Sequence, residues 1–267
     1  MKAAPLTVFP DITPVVVSEA EDGVATVTLN RPEKRNALDI AARTAIAAAF
    51  TGLATRSDVR VVVITGGETV FAAGADLNML VDQGAQAMSD LDLPQYWRPV
   101  QTFPKPLIAA VSGVAFGAGC ELAMMCDIIV ADPEARFGQP EAAVGIMPGA
   151  GGVQRLARLI GPKAASLMLF TGEPLDATRA FALGLVSLLA EPGQALPRAL
   201  EMARRIARMP PKAIVAIKRN LAAGAGLPLD AALALENREF LLLFDTADKT
   251  EGMRAFLDRR KPQFTGS

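Results

Sequence analysis

Residues 107–120 are apolar apart from Ser112, and apolar residues dominate on to Ala131, past Glu121 and Asp127. Such a stretch must be sealed from water, in lipid or in a protein core. A membrane-spanning helix needs about 20 predominantly apolar residues, and a carboxylate at its centre is costly. Here the carboxylate-free piece has 14 residues and contains Gly113, Gly117 and Gly119, so it is read as buried core. Residues 107–111 and 128–131 suit short buried strands, and residues 118–125 suit a helix entered through glycine. Strand, glycine turn, helix, strand is the rhythm of an α/β fold. With 51% hydrophobic and 21% charged residues over 267 positions, the chain can bury such a core in one large domain, alone or with a small appendage.

The flanking sequence fits that reading. Residues 15–17 and 24–29 look like strands joined by the acidic turn Glu21-Asp22-Gly23. Residues 59–64 form a β-branched run ended by Gly66-Gly67. Asp39 can N-cap an Ala-rich helix to about Ala54, with Ile46, Phe50 and Leu53 at helical spacing. Gly161-Pro162 and Gly172 to Pro174 punctuate further helices. Beyond Pro197 come four segments of helical composition, about 198–208, 211–223, 228–244 and 248–260. The expected division is an α/β core over residues 1–196 and a helical region over residues 197–267.

The sequence contains no histidine, which excludes Ser-His-Asp and Cys-His catalysis and histidine metal sites. Acid and base work falls to carboxylates, Lys, Tyr or backbone groups. Cys120 and Cys126 are too few for a disulfide framework and are not arranged as a zinc site, so reduced, mostly buried thiols are expected and no metal. The net charge of −1 gives no general attraction to nucleic acid or anionic lipid. Residues 1–133 carry 9 basic and 15 acidic side chains, whereas residues 134–267 carry 18 and 13, so a phosphate-bearing partner would meet the C-terminal half. Met1 to Pro10 lacks the apolar centre of a signal peptide, and the terminal Thr-Gly-Ser is no recognised address. A bacterial cytoplasmic location is therefore expected.

Gly117-Ala118-Gly119-Cys120-Glu121-Leu122 follows a strand and opens a helix, so its unpaired amides can stabilise an anion or a developing oxyanion. As a dinucleotide fingerprint it fails at Leu122. Glu121 is either a first-turn acid favoured by the helix dipole or paired with a buried cation, or a desolvated carboxylate poised for proton transfer. Glu141 closes Phe137-Gly138-Gln139-Pro140-Glu141, ahead of apolar residues 142–147 and the turn Pro148-Gly149-Ala150-Gly151-Gly152. Alone it reads as an ordinary loop acid. Beside Glu121 it would complete a pair able to hold one water and divide the roles of base and acid. Phe71-Ala72-Ala73-Gly74-Ala75-Asp76-Leu77 either lets its backbone approach a ligand or is a tight strand-to-helix connection capped by Asp76. Arg204, Arg205, Arg208, Lys212, Lys218, Arg219, Arg254, Arg259, Arg260 and Lys261 could meet phosphates, although such residues more often form solvated helix faces. Met79, Met88, Met124, Met125 and Met147 read as core or adaptable pocket wall.

Together, Asn30-Arg31-Pro32-Glu33-Lys34-Arg35-Asn36-Ala37-Leu38, Phe71 to Leu77, Gly113 to Ile128, Phe137 to Glu141, Pro148 to Leu156 and Glu251 to Pro262 resemble the enoyl-CoA hydratase/isomerase superfamily, the crotonases. The likeness runs over about residues 15–264. It implies a crotonase-type α/β spiral of ββα units with a helical C-terminal trimerisation region, assembled as a homo-trimer or a dimer of trimers. It implies an acyl-CoA substrate and no separate cofactor, since coenzyme A is part of that substrate. Neither nucleic acid nor membrane is an expected partner. By motif match the thioester oxygen would be held by the backbone N–H groups of Ala75 and Ala118; relatives often carry Gly at the second position, and for a backbone donor Ala serves as well. Hydratases of this superfamily resemble one another in carrying two catalytic glutamates, which Glu121 and Glu141 match. Gly149 matches the glycine whose amide helps to hold the water. Arg35, Ala37, Ala73, Ala75, Asp76, Leu77, Asn78 and Ala118 fall at substrate and CoA positions, with Arg259 and Arg260 as further phosphate contacts; Asn78 stands where relatives often have Lys. The acyl pocket is expected from residues 79–100, including Leu80, Leu91 and Trp97. The activity implied is enoyl-CoA hydratase, a carbon–oxygen lyase adding water syn to a 2-trans-enoyl-CoA to give a 3-hydroxyacyl-CoA.

Three alternatives differ in their demands. A Δ3-Δ2-enoyl-CoA isomerase, or another crotonase-fold acyl-CoA enzyme, would use the same glutamates and admit no water. An RNA-binding relative would carry a lysine-rich surface helix, whereas the helix after Asp39 carries only Arg43. A non-catalytic assembly subunit would have no use for both glutamates and both oxyanion motifs.

Overall fold

A computed structural model describes residues 13–267; Met1 to Pro10, where no signal peptide is expected, lies outside the described residues. The strands are β1 (Val15–Val17), β2 (Val24–Leu29), β3 (Val61–Thr65), β4 (Val70–Ala72), β5 (Leu107–Val111), β6 (Val114–Phe116), β7 (Ile128–Ala131), β8 (Arg136–Gly138), β9 (Leu175–Asp176) and β10 (Leu188–Leu189). They form a six-stranded sheet in the order β1-β2-β3-β5-β7-β10 and a four-stranded sheet in the order β4-β6-β8-β9. The chain alternates between the sheets, β3 then β4, β5 then β6, β7 then β8, so each turn of the spiral adds one strand to each.

The helices are α1 (Ile40–Thr55), α2 (Ala85–Asp90), α3 (Pro94–Gln101), α4 (Ala118–Met124), α5 (Gly152–Ile160), α6 (Pro162–Thr171), α7 (Ala177–Ala182), α8 (Ala195–Ala207), α9 (Pro211–Gly224), α10 (Leu229–Leu243) and α11 (Ala247–Leu257). Every residue of β3 and β5 is buried, because helices cover both faces of this mostly parallel sheet. Successive β3 residues divide between the faces: Val62 and Ile64 join a core with Phe50 and Trp97, and Val61 and Val63 join one with Ala199, Ala203 and Ala207. Those alanines recur once per turn of α8 and let the helix lie close to the sheet. The expected boundary at residue 196 falls inside α8. Without that helix the back of β3 and β5 would face water, so the α/β core extends through Ala207. Asp39 caps α1 as expected, accepting from the Ala42 N–H at 2.9 Å.

The second sheet positions the site. Strands β4, β6 and β8 pair in parallel, so their C-terminal ends share one edge. From that edge run Ala73 to Leu77, Gly117 with α4, and Gln139 to Glu141. At the C-terminal end α9 and α10 pack on each other. Helix α10 buries none of its residues, leaving Leu229, Leu233, Phe240, Leu241 and Leu242 exposed. No helix of the described residues is long and apolar enough to cross a membrane.

Candidate active site

The segment after β4 is held by the loop Asn30 to Leu38. Asn36, 2% exposed, donates from Nδ2 to the carbonyls of Gly66, Val70 and Phe71 at 2.9, 3.2 and 3.1 Å. Its Oδ1 accepts the Arg31 N–H at 2.8 Å. The Ala73 N–H donates to the Arg35 carbonyl at 3.0 Å, and the Leu38 N–H to the Gly74 carbonyl at 2.8 Å. This clamp leaves the Ala75 N–H without an acceptor among the described residues. Ala118 is the first residue of α4, where an N–H has no intrahelical acceptor. Gly74 at φ +110° and Gly117 at φ +50° bring the two turns together. A Cβ on Gly117 would lie 3.8 Å from Gly74 Cα and 3.0 Å from Glu141 Oε1, and one on Gly74 would lie 2.9 Å from the Phe116 carbonyl oxygen. Two free N–H donors thus stand beside a gap that glycine permits.

Glu121 is 2% exposed in the first turn of α4. Its Oε1 accepts from the Ala150 and Gly152 N–H groups, both at 2.7 Å, while Oε2 has no hydrogen-bond partner among the described residues. Burial raises this carboxyl above the usual glutamate range, against those two donors and the positive charges of Arg43 and Arg155. Half-buried Glu141 lies in the 3₁₀ turn Pro140–Val144. The buried Gln139 amide, oriented by its hydrogen-bond network, donates to Glu141 Oε1 and Oε2 at 3.0 and 3.1 Å. Burial, with the Glu121 charge adding to it, pushes Glu141 up to about 7. Glu121 therefore offers one unengaged carboxylate oxygen, and Glu141 keeps its proton to near neutrality.

A cavity of about 470 Å³ brings together Glu121, Glu141, Ala73, Ala75, Leu77, Ala118 and Gly149. Its apolar wall includes Leu80, Met88, Trp97 and Met147. Leu91 stays outside; Leu93 takes that place, because the chain turns between α2 and α3 before the wall is reached. Arg35, Ala37, Asp76 and Asn78 do not line the cavity either. Arg35 is exposed and meets this region through its carbonyl. Ala37 lies half-buried in the clamp. Asp76 caps the turn Leu77–Met79, accepting from Asn78 N and Nδ2 at 3.0 and 2.9 Å. Arg260 is bound by both oxygens of Glu251 at 2.7 and 2.8 Å, and Lys218 by Asp127 at 2.7 Å. Both cysteines are free, Cys120 buried and Cys126 half-buried. Gln139, Ala150 and Gly152 carry no chemical signature in the sequence, since their role depends on which carboxylate the fold brings to them. Arg43 had a signal: with Ile46 and Phe50 it recurs at i, i+3 and i+7, on the buried stripe of α1.

Two amides without acceptors beside two carboxylates of raised pKa, in a largely apolar cavity, are the groups that proton transfer next to a polarised carbonyl would require. The family model described as enoyl-CoA hydratase/isomerase matches residues 19–267. The chain is 45% identical over 251 residues to the 2,3-dehydroadipyl-CoA hydratase of Escherichia coli K12, covering 94% of this chain and 98% of that one. It is 38% identical over 252 residues to the crotonyl-CoA hydratase of Syntrophomonas wolfei, covering 93% and 97%. A crystal structure of an enoyl-CoA hydratase subunit I from Geobacillus kaustophilus matches with a TM-score of 0.93 at 38% identity, over 97% of this chain and 100% of that one. The chain belongs to the enoyl-CoA hydratase/isomerase family, and its spiral is the crotonase fold. Its named hydratase relatives, at 38% to 45% identity over most of the chain, support an enoyl-CoA hydratase.

Proposed function

We propose that the enzyme adds water syn across the double bond of a 2-trans-enoyl-CoA, giving a 3-hydroxyacyl-CoA. The observation that carries this reading is that Glu121 and Glu141 line one cavity with the unpaired amides of Ala75 and Ala118. Glu121 Oε2 takes a proton from a water molecule held near Gly149, and the water oxygen attacks C3. The alkene electrons move onto the thioester oxygen as an enolate, which the two amides stabilise more than the ground-state carbonyl. Glu141 then gives its proton to C2. The proton gained by Glu121 and the one lost by Glu141 are restored by exchange with solvent. No separate cofactor takes part, and Arg35, exposed beside Ala73, is the proposed contact for the CoA phosphates.

The acyl groups in the relatives' names run from crotonyl to 2,3-dehydroadipyl, so the acyl specificity of this chain is a property of its own pocket. The exposed apolar side chains of α10 support a homo-trimer or a dimer of trimers. Hydration of crotonyl-CoA tests the reading: turnover by the unmutated protein supports it. Turnover of a 3-enoyl-CoA in preference to a 2-enoyl-CoA would replace it with the isomerase.

A further inference from the structure

Arg43 is a charged cavity residue that the two-glutamate scheme leaves without a task. It projects from the first turn of α1, is 3% exposed and lines the catalytic cavity. Its Nε donates to the Leu38 carbonyl at 2.9 Å, and its guanidinium carbon lies 5.0 Å from the Trp97 ring centre. These contacts fix the fork while Nη1 and Nη2 have no hydrogen-bond partner among the described residues, and neither is sealed from solvent. Neither nearby carboxylate forms an ion pair with it among the described residues. Asp39, one turn earlier, holds Arg31 at 2.6 Å and caps Ala42. Glu121 attracts Arg43 from beyond ion-pair distance and gives Oε1 to Ala150 and Gly152. A buried guanidinium with no carboxylate of its own is costly in apolar surroundings, and its outer nitrogens form a fork matched to a carboxylate.

We infer that Arg43 determines acyl specificity by binding a carboxylate at the far end of the acyl chain, so that the preferred substrates are short 2-enoyl-CoA thioesters of dicarboxylic acids. This rests on the hydratase reading above. Glu121 acts at the reacting C3 and Arg43 lines the same cavity of about 470 Å³, so the acyl chain that joins C3 to the recognised carboxylate must be short enough to fit within it. A neutral chain leaves the fork unpaired, whereas a terminal carboxylate completes it.

The test uses adipyl-CoA and hexanoyl-CoA as inhibitors of crotonyl-CoA hydration by the unmutated protein. Each has a six-carbon acyl chain, and they differ in the terminal carboxylate. Adipyl-CoA is expected to inhibit at least about tenfold more tightly, as a charged hydrogen bond requires, and Arg43→Met is expected to abolish the difference. Equal inhibition, or tighter inhibition by hexanoyl-CoA, overturns the inference whether or not the variant folds. A folded Arg43→Met that slows turnover yet keeps the preference also overturns it, and would assign Arg43 to the support of Glu121. If crotonyl-CoA is not hydrated at all, the hydratase reading fails, and calorimetric binding of the same two thioesters still decides the role of Arg43.

Discussion

Replacing Ala118 by proline removes one N–H from the site while leaving α4 its hydrogen bonds. Ala118 is the first helical residue, where proline's fixed φ suits the helix and the N–H has no place in the ladder. Gly117 before it sits at ψ −125°, outside the α region that a following proline disfavours. One amide donor to a developing oxyanion is worth about 2.7–4 kcal/mol, or about 10²–10³ in kcat. The Ala75 donor remains, so Ala118→Pro is expected to lower kcat for crotonyl-CoA by about that factor, with the proline ring also crowding the thioester oxygen. Ala118→Gly keeps the N–H and is expected to stay within about tenfold of the unmutated rate. Loss of enoyl-thioester absorbance measures the rate, and circular dichroism checks that both variants fold. A folded Ala118→Pro with kcat within about tenfold of the unmutated protein would refute the assignment of this amide to the oxyanion.

Glu121→Gln and Glu141→Gln should each lower kcat at least about a hundredfold, because each removes one proton transfer; in the first, the amide oxygen can still accept from Ala150 and Gly152, so unfolding midpoints should move little. Since burial raises Glu141 to about 7 and its protonated form is the acid, kcat/KM should fall as pH rises through about 7, and a profile flat across that range would contradict the assignment. The same shift favours protonation in the folded state, so its contribution to stability is full below the ordinary value of 4.5 and is lost as pH rises through about 7. Urea unfolding of the unmutated protein against Glu141→Gln, on either side of that window, measures it. Asn36→Ala strips a donor from three backbone carbonyls and places alanine at φ +53°, so it should cost at least about 2 kcal/mol of stability by urea unfolding and loosen the Ala75 turn; a loss under about 0.5 kcal/mol would show that the clamp is dispensable.

The large sheet was legible because β3, β5 and β7 are continuous apolar runs, and α1 because its buried residues recur at helical spacing below a capping Asp39. The second sheet was not, since β4, β6 and β8 have three residues each and show no period; only the resemblance to crotonases supplied it. Glu121 stood out as a lone acid in an apolar run. Glu141 did not, because its raised pKa comes from burial and from the charge of Glu121, which only the spiral brings near it. Arg43 enters the sequence reading only as the one basic residue of its helix, although its place on the stripe with Ile46 and Phe50 marks it as buried.

The central claim is that Glu121 and Glu141 act on one water and one alkene in a shared cavity. Hydrating crotonyl-CoA in deuterium oxide and reading the C2 configuration of the product by NMR tests it most directly. The account predicts 3-hydroxybutyryl-CoA with deuterium at C2 on the same face as the new hydroxyl. Deuterium on the opposite face, or no hydroxyacyl product, would contradict it.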